Sequence, residues 1–462
     1  MILTTKDTKT EEYASHVRAL IGEDKKYYYV ITFGCQQNEA DSEKIRGIAR
    51  DMGYLRADSA ESADLIILNT CAIREHAESK ALSMLGRLKE YKRCRPDIII
   101  GVCGCMAAEE HISDMIRRNF RYVAFTLEPA MLHKIPELVA SALEDGKRSF
   151  IFGNDSGDIV EGLPTVRSSG HKAWVSIMYG CNNFCSYCIV PYTRGRERSR
   201  CSSDVIKECR ELIASGIKEI TLLGQNVNSY RSDMSFAELI SAIAELQGDF
   251  IIRFMTSHPK DTSNELIAAM KRYTPKIAPY FHLPLQSGSD RILKKMNRTY
   301  TTEKYLSTVD KLREAIPGIA ISTDIIVGFP GESDEDFLGT LGILEKVKFD
   351  MVYAFNYSPR EGTRAARLSE QIPEQLKSQR LSRLLEMQDE ISLSSNLPYI
   401  GRTVRVLADS SETRDGIMVY MGRTETNKLV RFTADSSPIG KFINVKIEKA
   451  GAFILIGSEA KE

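Results

Sequence analysis

The chain has 462 residues, 43% of them hydrophobic, and its 62 Lys and Arg balance its 62 Asp and Glu. At about 100–200 residues per domain this length predicts roughly three domains, and zero net charge leaves any nucleic-acid contact to a local basic patch. No apolar stretch reaches the ~18 residues of a membrane-spanning helix, and the polar opening MILTTKDTKTEEYASH lacks the apolar core of a secretory signal, so a cytoplasmic location is expected.

In chain order, residues 1–26 read as a charged, helix-leaning tail. Three short β-branched or aromatic runs follow, YYYVITF (27–33), ADLIILNT (63–70) and PDIIIGV (96–102), each leading into helical periodicity. Alternation of this kind predicts a parallel sheet with helices on both faces, placed at 27–150. The stretch 155–172, DSGDIVEGLPTVRSSGHK, is aperiodic and rich in Gly, Ser and charge, and reads as a linker. A second series then begins with AWVSIM (173–178), EITLLG (219–224), IIRFMTS (251–257), YFHLPLQ (280–286), AISTDIIVGF (320–329) and MVYAFNY (351–357). Six strand–helix units predict a complete or partial α/β barrel over 173–395, with its site at the carboxyl ends of the strands. A charged helix at about 373–395 leads into short alternating strands at 396–462, read as a small antiparallel β-barrel. This last segment carries ten Lys and Arg against eight Asp and Glu, so its charge alone names no partner.

The ten cysteines are Cys35, Cys71, Cys94, Cys103, Cys105, Cys181, Cys185, Cys188, Cys201 and Cys209. In a long cytosolic chain such thiols stay reduced and, where clustered, bind metal or do chemistry. Cys181, Cys185 and Cys188 form C-x3-C-x2-C directly after the first barrel strand. Three close thiolates suit an iron–sulfur cube with one open iron; the other reading is a structural zinc completed by a distant fourth ligand. Cys35 (FGCQQNEAD), Cys71 (LNTCAIRE) and Cys105 (GVCGCMAAEE) each fall just past a predicted strand. The carboxyl ends of parallel strands share one sheet edge, so these three can converge on a second cluster; taken singly, each also reads as a buried apolar residue. Cys103 competes with Cys105 but lies inside the strand end. Cys94, Cys201 and Cys209 read as ordinary residues.

The C-x3-C-x2-C loop after a first barrel strand resembles the radical S-adenosylmethionine (SAM) superfamily. The whole chain from about residue 27 resembles the methylthiotransferases, with an amino-terminal domain of three spaced cysteines, a radical SAM domain and a terminal TRAM barrel. The segments GCNNFCSYCIVPYTRGRERSR (180–200) and NTCAIREHAESK (69–80) are similar to the MiaB branch, which converts N6-isopentenyladenosine next to the tRNA anticodon to its 2-methylthio derivative. A departure is VAFTLEP (123–129), where relatives often carry a Gly-Thr turn. The resemblance implies that Cys35, Cys71 and Cys105 ligate an auxiliary [4Fe-4S] cluster and that Cys181, Cys185 and Cys188 ligate the SAM cluster. It implies two uses of SAM, as methyl donor and as source of the radical that activates carbon 2 of the base. It also implies a tRNA substrate and an electron-donor protein.

Polar residues at the barrel strand ends are candidates for holding SAM: Gln225, Asn226, Ser257, Gln286 with its neighbour Ser287, Asp324 and Arg360. Each also reads as a loop or capping residue. For RNA, Arg194 and Arg196, with Arg198 and Arg200, crowd the stretch after the cysteine loop, either reaching phosphates or pairing with carboxylates such as Glu197. In the terminal barrel Arg402 and Arg405 are the lead candidates, with Arg423, Lys428 and Arg431. Within the enzyme class, the alternatives are methylthiolation of threonylcarbamoyladenosine or of a ribosomal-protein aspartate. Those branches tend to place an acidic residue where Asn182 stands. Outside it, the alternative is a metal-stabilised RNA-binding protein.

Overall fold

The computed structural model describes residues 2–72, 75–152 and 158–460. Met1 of the tail, Ile73 and Arg74 of NTCAIREHAESK, Asp155 to Gly157 of the expected linker, and Lys461 and Glu462 lie outside the described residues. The chain divides into two compact units. One is Met1–Ser168 with Met178–Phe184 and Cys188–Arg200; the other is Ser169–Ile177 with Cys185–Tyr187 and Cys201–Glu462.

In the first unit the apolar runs become strands β1 (Ile2–Thr4), β2 (Tyr27–Thr32), β3 (Leu55–Arg56), β4 (Leu65–Thr70), β5 (Ile99–Gly104), β6 (Phe125–Leu127), β7 (Ser149–Ile151) and β8 (Ile159–Glu161). Six of them form a parallel sheet in the order β3-β2-β4-β5-β6-β7. Every residue of β4 is buried, as a strand covered on both faces requires. Leu65 and Ile67 pack with Ile45, Ile48 and Val139 on one face, while Ile66 and Leu68 pack with Leu85, Leu88 and Ile112 on the other. Burial of each such side chain contributes about 1.5–3 kcal/mol.

The helix-leaning tail carries a helix, and the expected linker carries a strand. Thr10–Ile21 is a helix whose Ala14 and Val17, three residues apart on one stripe, are buried in the first of these clusters. Strand β1 pairs in parallel with β8, Leu3 opposite Val160, so the IVE run of the expected linker supplies partners for backbone groups that would otherwise need water.

Strand β9 (Lys172–Ser176) belongs to the second unit, whereas the two-residue strands β10 (Met178–Tyr179) and β11 (Arg198–Ser199) pair antiparallel in the first. The second unit continues with β12 (Glu219–Leu223), β13 (Ile251–Phe254), β14 (Tyr280–His282), β15 (Ala320–Val327) and β16 (Met351–Asn356), interleaved with helices. These strands form the parallel sheets β13-β12-β9 and β14-β15-β16, and a parallel bridge between Ile252 and Ile277 ties β13 to the segment entering β14. The result is a partial α/β barrel. Strand β14 stops at His282 rather than at Gln286, because Pro284 follows and has no N–H to donate. Gln286, with φ 68°, rejoins the sheet through a parallel bridge to Ile325.

The helix Glu374–Asn396 leads to β17 (Thr403–Arg414), β18 (Ile417–Thr424), β19 (Leu429–Thr433), β20 (Phe442–Ala450) and β21 (Leu455–Glu459), a closed barrel in the order β17-β18-β19-β21-β20. It encloses Val406, Val430, Phe432, Val445 and Ile447. All its pairs are antiparallel except β19 with β21; the parallel pair that closes the ring departs from the wholly antiparallel expectation. Buried and half-buried charges, with Asp409 exposed, fasten this small barrel to the larger one. Arg253 of β13 donates to Glu219 of β12 at 2.7 Å and to the carbonyls of Thr424 and Glu425 at 2.7 and 3.0 Å. Lys428 pairs with Asp350 at 2.7 Å and Lys172 with Asp409 at 2.8 Å.

Candidate metal and cofactor sites

Cys35, Cys71 and Cys105 follow β2, β4 and β5, adjacent strands of the first sheet. Two glycines let their loops close on one another. Gly34 has φ 147°, and a Cβ there would meet Asn38 Oδ1 and stand 2.9 Å from Cys71 Cβ. Gly104 has φ 98°, and a Cβ there would strike the carbonyl of Thr70, which instead accepts the amide of Cys105 at 2.9 Å. The fully buried Asn38 joins the Cys35 loop to the end of β4, whose Thr70 carbonyl also takes the Cys105 amide. Its Oδ1 accepts from the Cys35 amide at 3.3 Å, and its Nδ2 donates to Asn69 Oδ1 at 3.2 Å and to the Thr70 carbonyl at 3.0 Å. Asn69 returns a bond to the Asn38 carbonyl at 2.7 Å. Cys35 also stands at the amino end of the helix Gln36–Asp51.

Burial pushes the Cys105 thiol up to about 11; Arg194 pulls against that rise, and Cys71 and Cys35 add to it. The Cys105 sulfur therefore lies within electrostatic reach of the other two. Among the described residues, no three Cys, His, Asp or Glu side chains are grouped to hold a single metal ion. A cube whose irons are each held by one cysteine spreads its ligands wider than one ion does, and a set of three thiols with no carboxylate or imidazole is the donor set it takes. Cys103 lies within β5 and packs in the core with Leu65 and Phe125.

Cys181 and Cys188 belong to the first unit and Cys185 to the second. The Cys181 amide donates to the Gly195 carbonyl at 3.2 Å. In the second unit, Ser186 anchors the loop by donating from its amide to Met296 at 2.9 Å and from its hydroxyl to the Lys295 carbonyl at 2.9 Å. Arg298, 9% exposed, donates to Cys185 Sγ at 3.5 Å, to Tyr300 Oη at 3.1 Å and to the Pro284 carbonyl at 3.0 Å. His258 lies edge-on to Tyr300; burial, together with Arg298 and Lys260, lowers its pKa to about 2, so this ring stays neutral.

The candidate SAM residues take several positions. Asn226 is buried and donates to Asp261 at 2.7 Å. The amide of Val227 bonds the Thr256 carbonyl at 3.0 Å, drawing the ends of β12 and β13 together beside Ser257. Asn226 Oδ1, Ser257 Oγ and Asn356 Oδ1 are buried with no hydrogen-bond partner in the protein. Each such orphan costs roughly 1–3 kcal/mol until a ligand or water meets it, and these three fit a polar cofactor over the strand ends. The amide of Gln286 donates to the Asp324 carbonyl at 2.8 Å, and Asp324 Oδ2 lies 3.3 Å from His282 Nε2. Ser287 is buried and accepts from the Ser289 amide at 3.3 Å. Gln225 and Arg360 are half-buried in the loops after β12 and β16.

Two of the four lead RNA candidates are corrected. Arg194 is buried; it donates to Asp41 at 2.8 Å and to Cys105 Sγ at 3.1 Å, so it offers no charge to phosphate. Arg405 is half-buried between Asp249 at 2.5 Å and Glu425 at 3.3 Å, with its guanidinium 3.8 Å from the Phe442 ring centroid. Arg200 is likewise buried in a two-pronged pair with Glu161, and Lys428 is held by Asp350 and Asn396. Arg196 is exposed over Phe184 and Arg402 is exposed beside Tyr399. Asn38, Asn69, Asp41, Arg298 and Asn356 were not singled out from the sequence. Only Asn38 left a signal there, three residues after Cys35 in a helix-capping position.

Residues 175–344 match the Radical SAM superfamily, residues 27–127 the uncharacterized protein family UPF0004, and residues 398–458 the TRAM domain. The tRNA-2-methylthio-N(6)-dimethylallyladenosine synthase of Acetivibrio thermocellus is 50% identical over 439 residues, 94% of this chain and 91% of that one. The protein of the same name from Clostridium tetani is 47% identical over 94% of this chain and 96% of its own. Among solved structures, the radical S-adenosylmethionine methyltransferase TsrM from Kitasatospora setae, with cobalamin and a [4Fe-4S] cluster bound, superposes with a TM-score of 0.55 at 13% identity, covering 74% of this chain and 77% of that one, which is a likeness of fold. With half its residues shared over nearly the full length of both proteins, the chain belongs to the family of the tRNA-2-methylthio-N(6)-dimethylallyladenosine synthases, within the radical SAM superfamily.

Proposed function

We propose that this chain is a tRNA-modifying enzyme that methylthiolates carbon 2 of N6-isopentenyladenosine next to the anticodon, with SAM as methyl donor and radical source. The observation that carries the reading is the full-length identity to synthases of that name, joined to three cysteines at the ends of parallel strands and three more in the loop after β10. Two [4Fe-4S] clusters and SAM supply the electron, radical and sulfur chemistry that side chains lack. The protein's part is to bind and orient. Cys35, Cys71 and Cys105 hold the auxiliary cluster, and Cys181, Cys185 and Cys188 the SAM cluster. Asn226, Ser257 and Asn356 meet polar atoms of SAM, with Asp324 held in place by His282 and with Gln225, Gln286 and Arg360 on neighbouring strand ends.

The matched segments support a division into an auxiliary-cluster domain at 27–150, a radical SAM domain at 173–395 and an RNA-binding TRAM domain at 396–462, with the tail 1–26 and linker 155–172 between or beside them. Arg196 and Arg402 are the exposed cations we assign to tRNA phosphate. A protein electron donor and a cytoplasmic location accompany this chemistry; no helix of the described residues is long and apolar enough to cross a membrane.

Iron and sulfide counts under anaerobic conditions test the reading. About eight irons per chain, falling to about four when either cysteine set is replaced by alanine, is the expected result. Zinc in place of iron contradicts the radical chemistry, and about four irons in the parent removes the auxiliary cluster.

A further inference from the structure

We propose that Arg194 is a positioning residue for the site of Cys35, Cys71 and Cys105, and that its guanidinium governs how readily a cluster held there accepts an electron. The inference rests on the assignment of those three cysteines as ligands. Arg194 Nε donates to Cys105 Sγ at 3.1 Å and Nη2 donates to Asp41 Oδ2 at 2.8 Å, with both charged side chains 5% exposed. Packing alone does not call for this arrangement, because a buried ion pair adds little to stability over apolar groups of the same volume. Nor does hydrogen bonding, since thiol sulfur is a weak acceptor. A thiolate bound to iron changes the case: a cation donating to it forms a strong, charge-assisted bond.

The expected signs follow from charge. Reduction brings one electron and no proton to the cluster, so the local charge falls by one. A guanidinium in contact with a ligand sulfur, away from water, favours that reduced state. Asp41 offsets part of the effect because its carboxylate faces the same guanidinium. Removing the arginine and removing the carboxylate therefore shift the potential in opposite directions. Arg194 also lies six residues beyond Cys188 in the same unit, so the segment leaving one cysteine set carries the charge that serves the other.

The test uses the full-length chain with Cys181→Ala, Cys185→Ala and Cys188→Ala, which retains only the auxiliary cluster. Dithionite titration followed by electron paramagnetic resonance gives its midpoint potential, and iron is counted in parallel. Arg194→Gln is expected to move the midpoint to more negative potential and Asp41→Asn to more positive potential. Arg194→Lys should fall between Arg194→Gln and the parent, with about four irons throughout. Midpoints unchanged in Arg194→Gln and Asp41→Asn, or shifted the same way in both, overturn the proposal. If Arg194→Gln does not retain iron, Asp41→Asn and Arg194→Lys decide by the same signs. Absence of iron from the triple-alanine parent overturns the ligand assignment itself, and the role of Arg194 with it.

Discussion

Cys35, Cys71 and Cys105 are distant in sequence and meet because each ends a strand of one parallel sheet, with Gly34 and Gly104 in conformations that leave no room for a side chain. Spacing after apolar runs made the cysteines legible in the sequence. The groups that position their loops were not: Asn38 and Asn69 are polar residues at a helix start and a strand end, which by pattern read like any loop residue until burial sets them apart. Arg194 shows the same limit from the other side. In an arginine-rich stretch it reads as a surface cation, and only the position of Asp41 and Cys105 turns it inward. For SAM, the orphaned oxygens are the sharpest residue-scale evidence. Asn226→Ala is expected to weaken SAM binding about tenfold, the loss of one well-placed hydrogen bond, with iron content unchanged. Equilibrium dialysis with SAM checks this, and unchanged affinity would remove Asn226 from the site.

At the scale of elements, β12, β13 and the terminal barrel are joined by Glu219 and Arg253. Burial raises the Glu219 carboxyl, but Arg253 and then Lys172 outweigh it and hold the pKa below its ordinary 4.5. Its charged form is thus favoured in the folded state, a contribution present above about pH 4.5 and lost as pH falls through the depressed value. Glu219→Gln is expected to cost roughly 3 kcal/mol at neutral pH, because it leaves a buried guanidinium uncompensated. The difference from the parent should shrink below pH 4.5. Denaturant unfolding at pH 7 and pH 4 measures both; a deficit that does not change with pH would place the effect in packing rather than in charge. The strands themselves were legible as β-branched runs. Their ends were less so, as at β14, where Pro284 stops the ladder that hydropathy alone would continue. The helix of the tail was legible as a helix-leaning run, but β1 in it and β8 in the expected linker 155–172 were not, because each is a three-residue strand, too short for a period to register.

For the whole molecule, the fold classes, a parallel α/β sheet, a partial α/β barrel and a small closed β-barrel, were legible from alternation of strands and helices followed by short strands. The TRAM barrel's partner was not, since ten positive against eight negative charges carry no net signal. The structure removes Arg405 and Lys428 from the available cations by pairing them with Asp249 and Asp350, which leaves Arg402 exposed. Arg196→Ala and Arg402→Ala are each expected to weaken tRNA binding and to reduce the slope of log K against log salt by about 1. Filter binding across a salt series checks this, and unchanged slopes would direct attention to other surfaces.

The most direct measurement is turnover on defined tRNA. The reconstituted protein is incubated anaerobically with SAM, a reductant and tRNA carrying isopentenyladenosine, and the digested nucleosides are analysed by mass spectrometry. A nucleoside in which a methylthio group has replaced hydrogen on the isopentenylated base, with 5′-deoxyadenosine released, is the predicted result. No modified base on that tRNA, together with methylthiolation of threonylcarbamoyladenosine under the same conditions, would contradict it.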